Sequence, residues 1–376
     1  MRKYINKQIY KPLLKRLIFT VTNSLQYDQR MIRICTTLAA AGYPVTLVGV
    51  KHGGTSALPA QPFSQKRLYC PFKKGFAFYA YYNLRLFFYL LAKPADIVCC
   101  IDLDTMLPAF FAAKLRGKKL VYDAHEYFSQ QKEVVTRPKV YRAWHWIEKT
   151  FVPRIKHGYT VGHSIAAEFK KLYGVEYAVV MNCTVLHERT PNKTAKEKNI
   201  LYQGAVNEAR GLEYLIPAMR QIDANLYIYG DGNMLEYCTQ LVKQQGLEQK
   251  IFFMGKVLPA ELGAVTADAY MGLNLVENTG LNQYYSLANK FFDYMHHAVP
   301  QVTMAFPEYE RINQQFEVAV LIKDLNEQNI ANAVNHLLTD TNAYQRLQQN
   351  CLHAREVYCW QNEATKLLAF YQQLSQ

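Results

Sequence analysis

The chain has 376 residues, enough for two domains of ordinary size, and half of them are hydrophobic, which argues against a largely disordered polypeptide. A formal charge of +13 points to polyanionic partners: nucleic acid, an anionic membrane or phosphorylated substrates. The eight cysteines, at 35, 70, 99, 100, 183, 238, 351 and 359, show neither a Cys-x-x-Cys pair nor a zinc spacing, and we read them as reduced, mostly buried thiols of a cytosolic protein.

The stretch from Met1 to Arg16 is basic, with Lys3, Lys7, Lys11, Lys15 and Arg16, and lacks the apolar centre and cleavage site of a signal peptide. Residues 16–22 read as the first strand, followed by Asn23-Ser24, a helix over roughly 28–41 stopped by Gly42, and a second strand over 45–50. Residues 69–93 mix aromatic side chains with Lys73, Lys74, Arg85 and Lys93. Such a segment suits a membrane interface, with rings at headgroup level and cations on anionic lipid, and equally a buried helix with basic ends. It is interrupted by Asn83 and Arg85, and no stretch reaches the ~18–20 apolar residues of a membrane-spanning helix. Strands at 97–101 and 119–122 flank a helix at 107–115. His125 follows the second of these strands, where a side chain at a strand's carboxyl end can face a ligand.

The polar run Glu188–Asn199 reads as a linker between an N-terminal domain over 1–187 and a second domain over 200–355. Beyond it the alternation restarts, with strands at 200–203, 226–229, 251–254, 271–276 and 299–303, and a last helix over 356–374 (the 356–376 tail) that can pack back on the first domain. Strand–helix alternation predicts an α/β protein of two Rossmann-like, doubly wound parallel sheets facing a cleft.

Three patterns lie at strand ends in the second half. Gly204 to Arg210 is a flexible turn carrying a cation into a helix start, a place for an anion or an ordinary loop with a surface Arg. Gly230-Asp231-Gly232 is a second glycine turn that would let a ligand approach the backbone, without the third glycine of a dinucleotide fingerprint. From Glu277 the chain leads to a helix in which Leu287, Phe291, Met295 and Ala298 would face the core. Asn289, Lys290, Asp293 and His297 would share the other side. That side could hold a diphosphate and a ribose diol, or be a solvated charged face.

Together, YQGAVNEARGLEYLIPAM, IYGDGN, IFFMGKVLPAELGAVTADAYMGLNLVE and LANKFFDYMHHAVPQV resemble the C-terminal domain of family 4-like (group 1) retaining glycosyltransferases. In the first half, DQRMIRICTTLAAAGYPVTLVG, VYDAHEYF and TVGHSIAAEFKKLYG are similar to the same family, so the resemblance covers nearly the whole chain. It implies the GT-B fold and transfer of a sugar from a nucleoside diphosphate sugar to a hydroxyl acceptor, such as a glycan or polyprenyl-linked precursor, with retention and without an essential metal or cofactor. It implies that Arg210 contacts the donor diphosphate, aided by Lys290, Asn289 and the turns at Gly204, Gly230 and Gly232, and that Asp293 binds ribose. His125 would serve the acceptor side, with Asn23, Asp28 and Ser164 near it; Ser164 could alternatively cap a helix. Two positions depart from the family pattern: Ala205 stands where an Arg is usual and Tyr285 where a second glutamate is usual. Lys290 could replace the missing cation, whereas Tyr285 can hydrogen-bond a hydroxyl without supplying a charge. These departures also admit a non-catalytic sugar-nucleotide or glycan-binding relative. A nucleic-acid-binding protein, suggested by the charge, lacks a recognisable module. The expected place is the cytoplasm, at the inner face of the cell membrane.

Overall fold

The structure, a computed structural model, describes residues 14–26, 28–54, 57–187 and 197–376. The basic residues Lys3, Lys7 and Lys11 and most of the expected linker, 188–196, lie outside the described residues. The chain divides into two compact units: residues up to Asp123 together with Leu367–Gln376, and Ala124–Lys366.

In the first unit, β1 (Leu17–Thr20), β2 (Val45–Lys51), β3 (Ser64–Tyr69), β4 (Ile97–Ile101) and β5 (Lys119–Ala124) are parallel and run in the order β3-β2-β1-β4-β5. All five residues of β4 are buried, as expected for a strand covered on both faces. The edge strand β3, SQKRLY, has no apolar run because most of its side chains face solvent. The helix Gln29–Ala40 starts where expected, because the Asp28 carboxylate accepts the Met31 N–H at 3.0 Å and caps it. Buried Arg30 of that helix pairs with Asp123 at the end of β5, at 3.0 Å. Tyr371, from the last turns of the chain, packs on Phe19 of β1 with ring centroids 6.0 Å apart.

The second unit holds a parallel pair, β6 (His157–Thr160) and β7 (Ala178–Val179), and a six-stranded sheet. Its strands are β8 (Asn199–Gln203), β9 (Asn225–Tyr229), β10 (Ile251–Gly255), β11 (Met271–Asn274), β12 (Gln301–Met304) and β13 (Ala319–Ile322), in the order β10-β9-β8-β11-β12-β13. The chain winds outward from β8 in one direction and, from β11, in the other. The crevice beyond the carboxyl ends of β8 and β11 is therefore a topological switch point, where such sheets bind ligands. The chain is an α/β protein with two doubly wound parallel sheets.

The helix Asn289–His296 lies over this sheet through a close fit. The Tyr294 ring sits where a Cβ on Gly272 of β11 would be, 2.6 Å away, and its hydroxyl donates to the carbonyls of Leu201 and Leu273. Leu287, Phe291, Met295 and Ala298 are buried, as their spacing requires. Phe292, Tyr294 and His296 are buried as well, so the helix has apolar contacts around most of its circumference. The closing helix expected over 356–374 is Trp360–Ser375, and Glu356 and Val357 instead end the preceding helix, Thr341–Val357. The Asn362 amide donates to the carbonyls of Glu356 and Val357, which satisfies the end of that preceding helix. All eight cysteines are free and buried, as expected.

Candidate functional site

The turn after β8 and the turn after β9 are packed backbone to backbone. Gly204 N–H donates to Tyr229 O at 2.9 Å, Val206 N–H to Asp231 O at 3.1 Å, and Asn233 N–H to the Asn207 side chain at 3.0 Å. A Cβ on Gly230 would stand 1.8 Å from Gly204 O, and one on Gly232 would stand 2.2 Å from Val206 O. What approaches these two glycines is thus the neighbouring turn of the chain itself, and a side chain at either would pry the turns apart.

Against this double turn sits the ammonium of Lys290. Its Nζ is 4.1 Å from the centroid of the buried Tyr202 ring, and 3.3 Å from where a Cβ on Gly204 would lie, next to Ala205. Burial, and then the nearby Arg210 guanidinium, lower the Lys290 pKa to about 7. Arg210 follows Ala209, held at φ 61°, and precedes Gly211 and the helix Leu212–Ala218. Neither Arg210 nor Lys290 has a carboxylate partner among the described residues. Two cations that repel one another and have no counter-charge form a place for an anion with more than one negative charge.

Three residues along the helix from Lys290, Asp293 has both carboxylate oxygens engaged: Oδ1 by the Thr184 hydroxyl at 2.6 Å and Oδ2 by the Gln203 amide at 3.2 Å. Gln203 in turn accepts from Thr266 at 2.8 Å, so the carboxylate ends a relay of buried polar groups. Asn289, at the helix start, is exposed and accepts from Asn182 at 2.6 Å.

A cavity of about 330 Å³ opens beside Arg210, lined by Lys132, Thr136, Asn207, Glu208, Asn233 and Gln283 among others. Lys132 pairs with Glu208 across it at 3.1 Å. A larger hollow, about 670 Å³, lies at the amino ends of β8 and β9 around Asn199 and Asn225, away from the switch point. The loop after β5 is fastened nearby: Asn282 accepts the Tyr127 N–H at 2.9 Å and donates to Glu126 at 3.0 Å. His125 begins that loop and is half-buried. Among the described residues no group of three or more His, Cys, Asp or Glu side chains could hold a metal ion.

Comparison with known proteins supplies the family. Residues 29–186 match the model of Glycosyltransferase Family 4, and residues 197–340 match that of Glycosyl transferases group 1. The chain belongs to the group 1, family 4 glycosyltransferases. An uncharacterized glycosyltransferase of Methanocaldococcus jannaschii is 27% identical over 182 residues, 46% of this chain, and the match spans 45% of that relative's length. Among solved structures, sucrose-phosphate synthase from Thermosynechococcus elongatus superposes with a TM-score of 0.79 at 16% identity, over 96% of this chain and 99% of that one. The Anabaena protein HepE in complex with UDP-glucose gives 0.73 at 12% identity, over 96% and 100%. WaaG, a glycosyltransferase involved in lipopolysaccharide biosynthesis, gives 0.69 at 16% identity, over 93% and 98%. The fold is the GT-B fold of these structures.

In this chain the other expected positions have local partners. Asn23 and Asp28 belong to the first unit, where the Asn23 amide donates to Asp28 at 2.6 Å and Asp28 caps a helix. Ser164 lies in the first turn of the helix His163–Tyr173, and its N–H donates to buried Glu308 at 2.5 Å, so a carboxylate from a distant helix fills that helix's N-terminus. Tyr285 is partly exposed, its ring 5.5 Å from that of Tyr284. Sequence reasoning missed Lys132, Thr136 and Gln283 as cavity residues. None belongs to a glycine turn or an amphipathic stripe, so no local pattern singles them out.

Proposed function

We propose that this glycosyltransferase moves a sugar from a nucleoside diphosphate sugar to a hydroxyl acceptor with retention of anomeric configuration. The 200–355 sheet would hold the donor and the 1–187 region the acceptor. The observation that carries this is the pair of uncompensated cations, Arg210 and Lys290, at the carboxyl ends of β8 and β11. The diphosphate would lie against these cations and the first amides of the helix Asn289–His296, beside the turns at Gly204, Gly230 and Gly232. As the sugar leaves, charge gathers on the diphosphate, and fixed cations in a desolvated spot stabilise it without reorganising, so the proposal needs no metal ion. Asp293, with its carboxylate already oriented by Thr184 and Gln203, would accept hydrogen bonds from the ribose diol, and His125 would face the acceptor. Calorimetry with UDP, GDP and ADP tests this. Arg210→Ala should weaken the nucleoside diphosphate that binds the wild type by about 1.5–3 kcal/mol while sparing the bare nucleoside. His125→Ala should leave nucleotide affinity within about a few-fold and abolish transfer. Unchanged diphosphate affinity in folded Arg210→Ala would sink the assignment.

We infer further that the acceptor is a glycan or polyprenyl-linked precursor met at the cytoplasmic face of an anionic membrane. Among the described residues no helix is long and apolar enough to cross a membrane. The helix Gly75–Ala92 buries a narrow stripe, Phe78, Tyr82, Leu86 and Leu90. It leaves Phe76 88%, Leu84 58% and Phe88 60% exposed, with Lys73, Lys74 and Arg85 alongside. Apolar side chains facing water beside cations favour partial insertion into anionic lipid. Sedimentation with vesicles should show binding to phosphatidylserine-containing vesicles that weakens with salt and in Lys73→Glu/Lys74→Glu. Equal partitioning onto neutral phosphatidylcholine vesicles would remove the electrostatic part of this reading.

A further inference from the structure

We propose that the outward face of the helix Pro138–Phe151 is a docking track for a linear, negatively charged glycan. This names the acceptor class and rests on the glycosyl-transfer reading above. Lys139, Arg142, Trp146 and Lys149 recur at spacings of three, four and three, so they stand in one row along that face. All four are exposed, Trp146 by 59%. The three cations have no carboxylate partner among the described residues. The helix has one acidic residue, Glu148, and it is buried on the far side, where it accepts the Tyr173 hydroxyl. Ile147 and Phe151 are buried with it, and Trp144 packs edge-on against Phe128 with ring centroids 4.9 Å apart. The row is therefore held on a fixed support, and its charged members are all cations.

The side chains in the row say which polyanion fits. Trp146 is braced by buried Phe151, the rings nearly perpendicular with centroids 6.0 Å apart, and still leaves most of its surface to solvent. An indole set between cations offers a flat apolar surface to the C–H faces of a sugar ring, while Lys and Arg on either side meet carboxylates or phosphates of the neighbouring rings. From Lys139 to Lys149 the row rises about 15 Å and is one side chain wide, which suits a single extended chain. A bilayer fits less well. Insertion needs contiguous apolar area, and this face exposes one large apolar side chain, whereas the helix Gly75–Ala92 bares Phe76, Leu84 and Phe88. A nucleic-acid strand stacks successive bases on several aromatic platforms, and one ring serves one base. The helix begins two residues after Thr136, which lines the cavity beside Arg210. A glycan lying along the row would have its end held near that cavity, at a local concentration above that of the free chain.

Titration calorimetry tests this with polygalacturonate, which carries carboxylates, phosphomannan, which carries phosphates, and neutral dextran. The proteins are the wild type, Arg142→Glu/Lys149→Glu, Trp146→Ala and Trp146→Phe, with urea midpoints checking that each folds. The wild type should bind at least one of the acidic glycans, more weakly as salt rises, and leave dextran unbound. The double charge reversal should weaken the acidic glycan about tenfold or more. Trp146→Ala should weaken it about three- to tenfold, and Trp146→Phe should restore most of that loss. Dextran bound as tightly as the acidic glycans, or unchanged affinity in both the charge reversal and Trp146→Ala, overturns the proposal. Oligo(dT) and phosphatidylserine vesicles are the rival occupants: if either loses more affinity in these variants than the acidic glycans do, the row serves nucleic acid or lipid and the proposal falls. Failure of the wild type to bind UDP, GDP or ADP would overturn the donor reading alone, since loss of glycan binding in the variants would still support the row.

Discussion

Replacing Gly230 with alanine is expected to destabilise the second unit by about 3 kcal/mol or more and to abolish nucleotide binding with it. The added Cβ would stand 1.8 Å from the Gly204 carbonyl oxygen, and that oxygen belongs to backbone whose N–H is bonded to Tyr229 O at 2.9 Å. Neither partner is a flexible side chain that can swing away, and φ at Gly230 is +155°, a conformation that side-chain-bearing residues avoid. The two turns would have to separate, and with them the seat of the Lys290 ammonium. Gly246→Ala is the control, since Gly246 has φ +65° and open space where its Cβ would be. It should cost only the conformational penalty, about 1–2 kcal/mol. Urea unfolding of the two variants, compared by midpoint at equal slope, measures the difference. Equal midpoints would mean that the turns tolerate separation and that the packing described is not what holds them.

Lys290→Ala should weaken nucleoside diphosphate binding about ten- to hundredfold and flatten its pH dependence. In the unliganded protein burial and the Arg210 charge hold the ammonium pKa near 7, so the group is substantially neutral in mildly alkaline solution. A bound dianion favours the charged form, so binding near and above pH 7 draws in a proton, and affinity falls as pH rises through that region. The same shift acts on stability. The unfolded chain keeps its lysine protonated up to about pH 10.4. Between about 7 and that value the unfolded state therefore holds more protons, and the folded, ligand-free protein gains stability as pH rises. Titration calorimetry between pH 6 and 9, in buffers of different ionisation heat, reads both the affinity and the proton taken up. An affinity flat across that range in the wild type would place Lys290 away from the diphosphate.

Much of the scaffold was legible because burial writes a short-range pattern. The run Ile97–Ile101 is a strand with those same ends, the first helix, Gln29–Ala40, lies within a residue of the expected 28–41 at each end, and Phe291 and Met295 lie in the core as their spacing requires. Where burial is one-sided or slight the pattern fades. The strand β3 at the sheet edge carries no apolar alternation, because SQKRLY faces solvent along most of its length. Tyr294 is fully buried although its spacing sets it off the apolar stripe, since the surface it meets has a gap at Gly272 shaped for its ring.

By itself the sequence determined the α/β class, the doubly wound alternation and the glycosyltransferase family, all carried by local periodicity, turns and motif order. Only the tertiary structure decided what surrounds each candidate residue. It set Lys290 against Gly204, beside the position where Ala205 replaces the usual arginine, and placed Gln283 in one cavity with Arg210. It also showed Gly230 accommodating a neighbouring turn and Asp293 bound to Thr184 and Gln203. The reason is that a parallel sheet brings together strand ends far apart in the chain. Which end meets which depends on strand order, and no single segment carries that order.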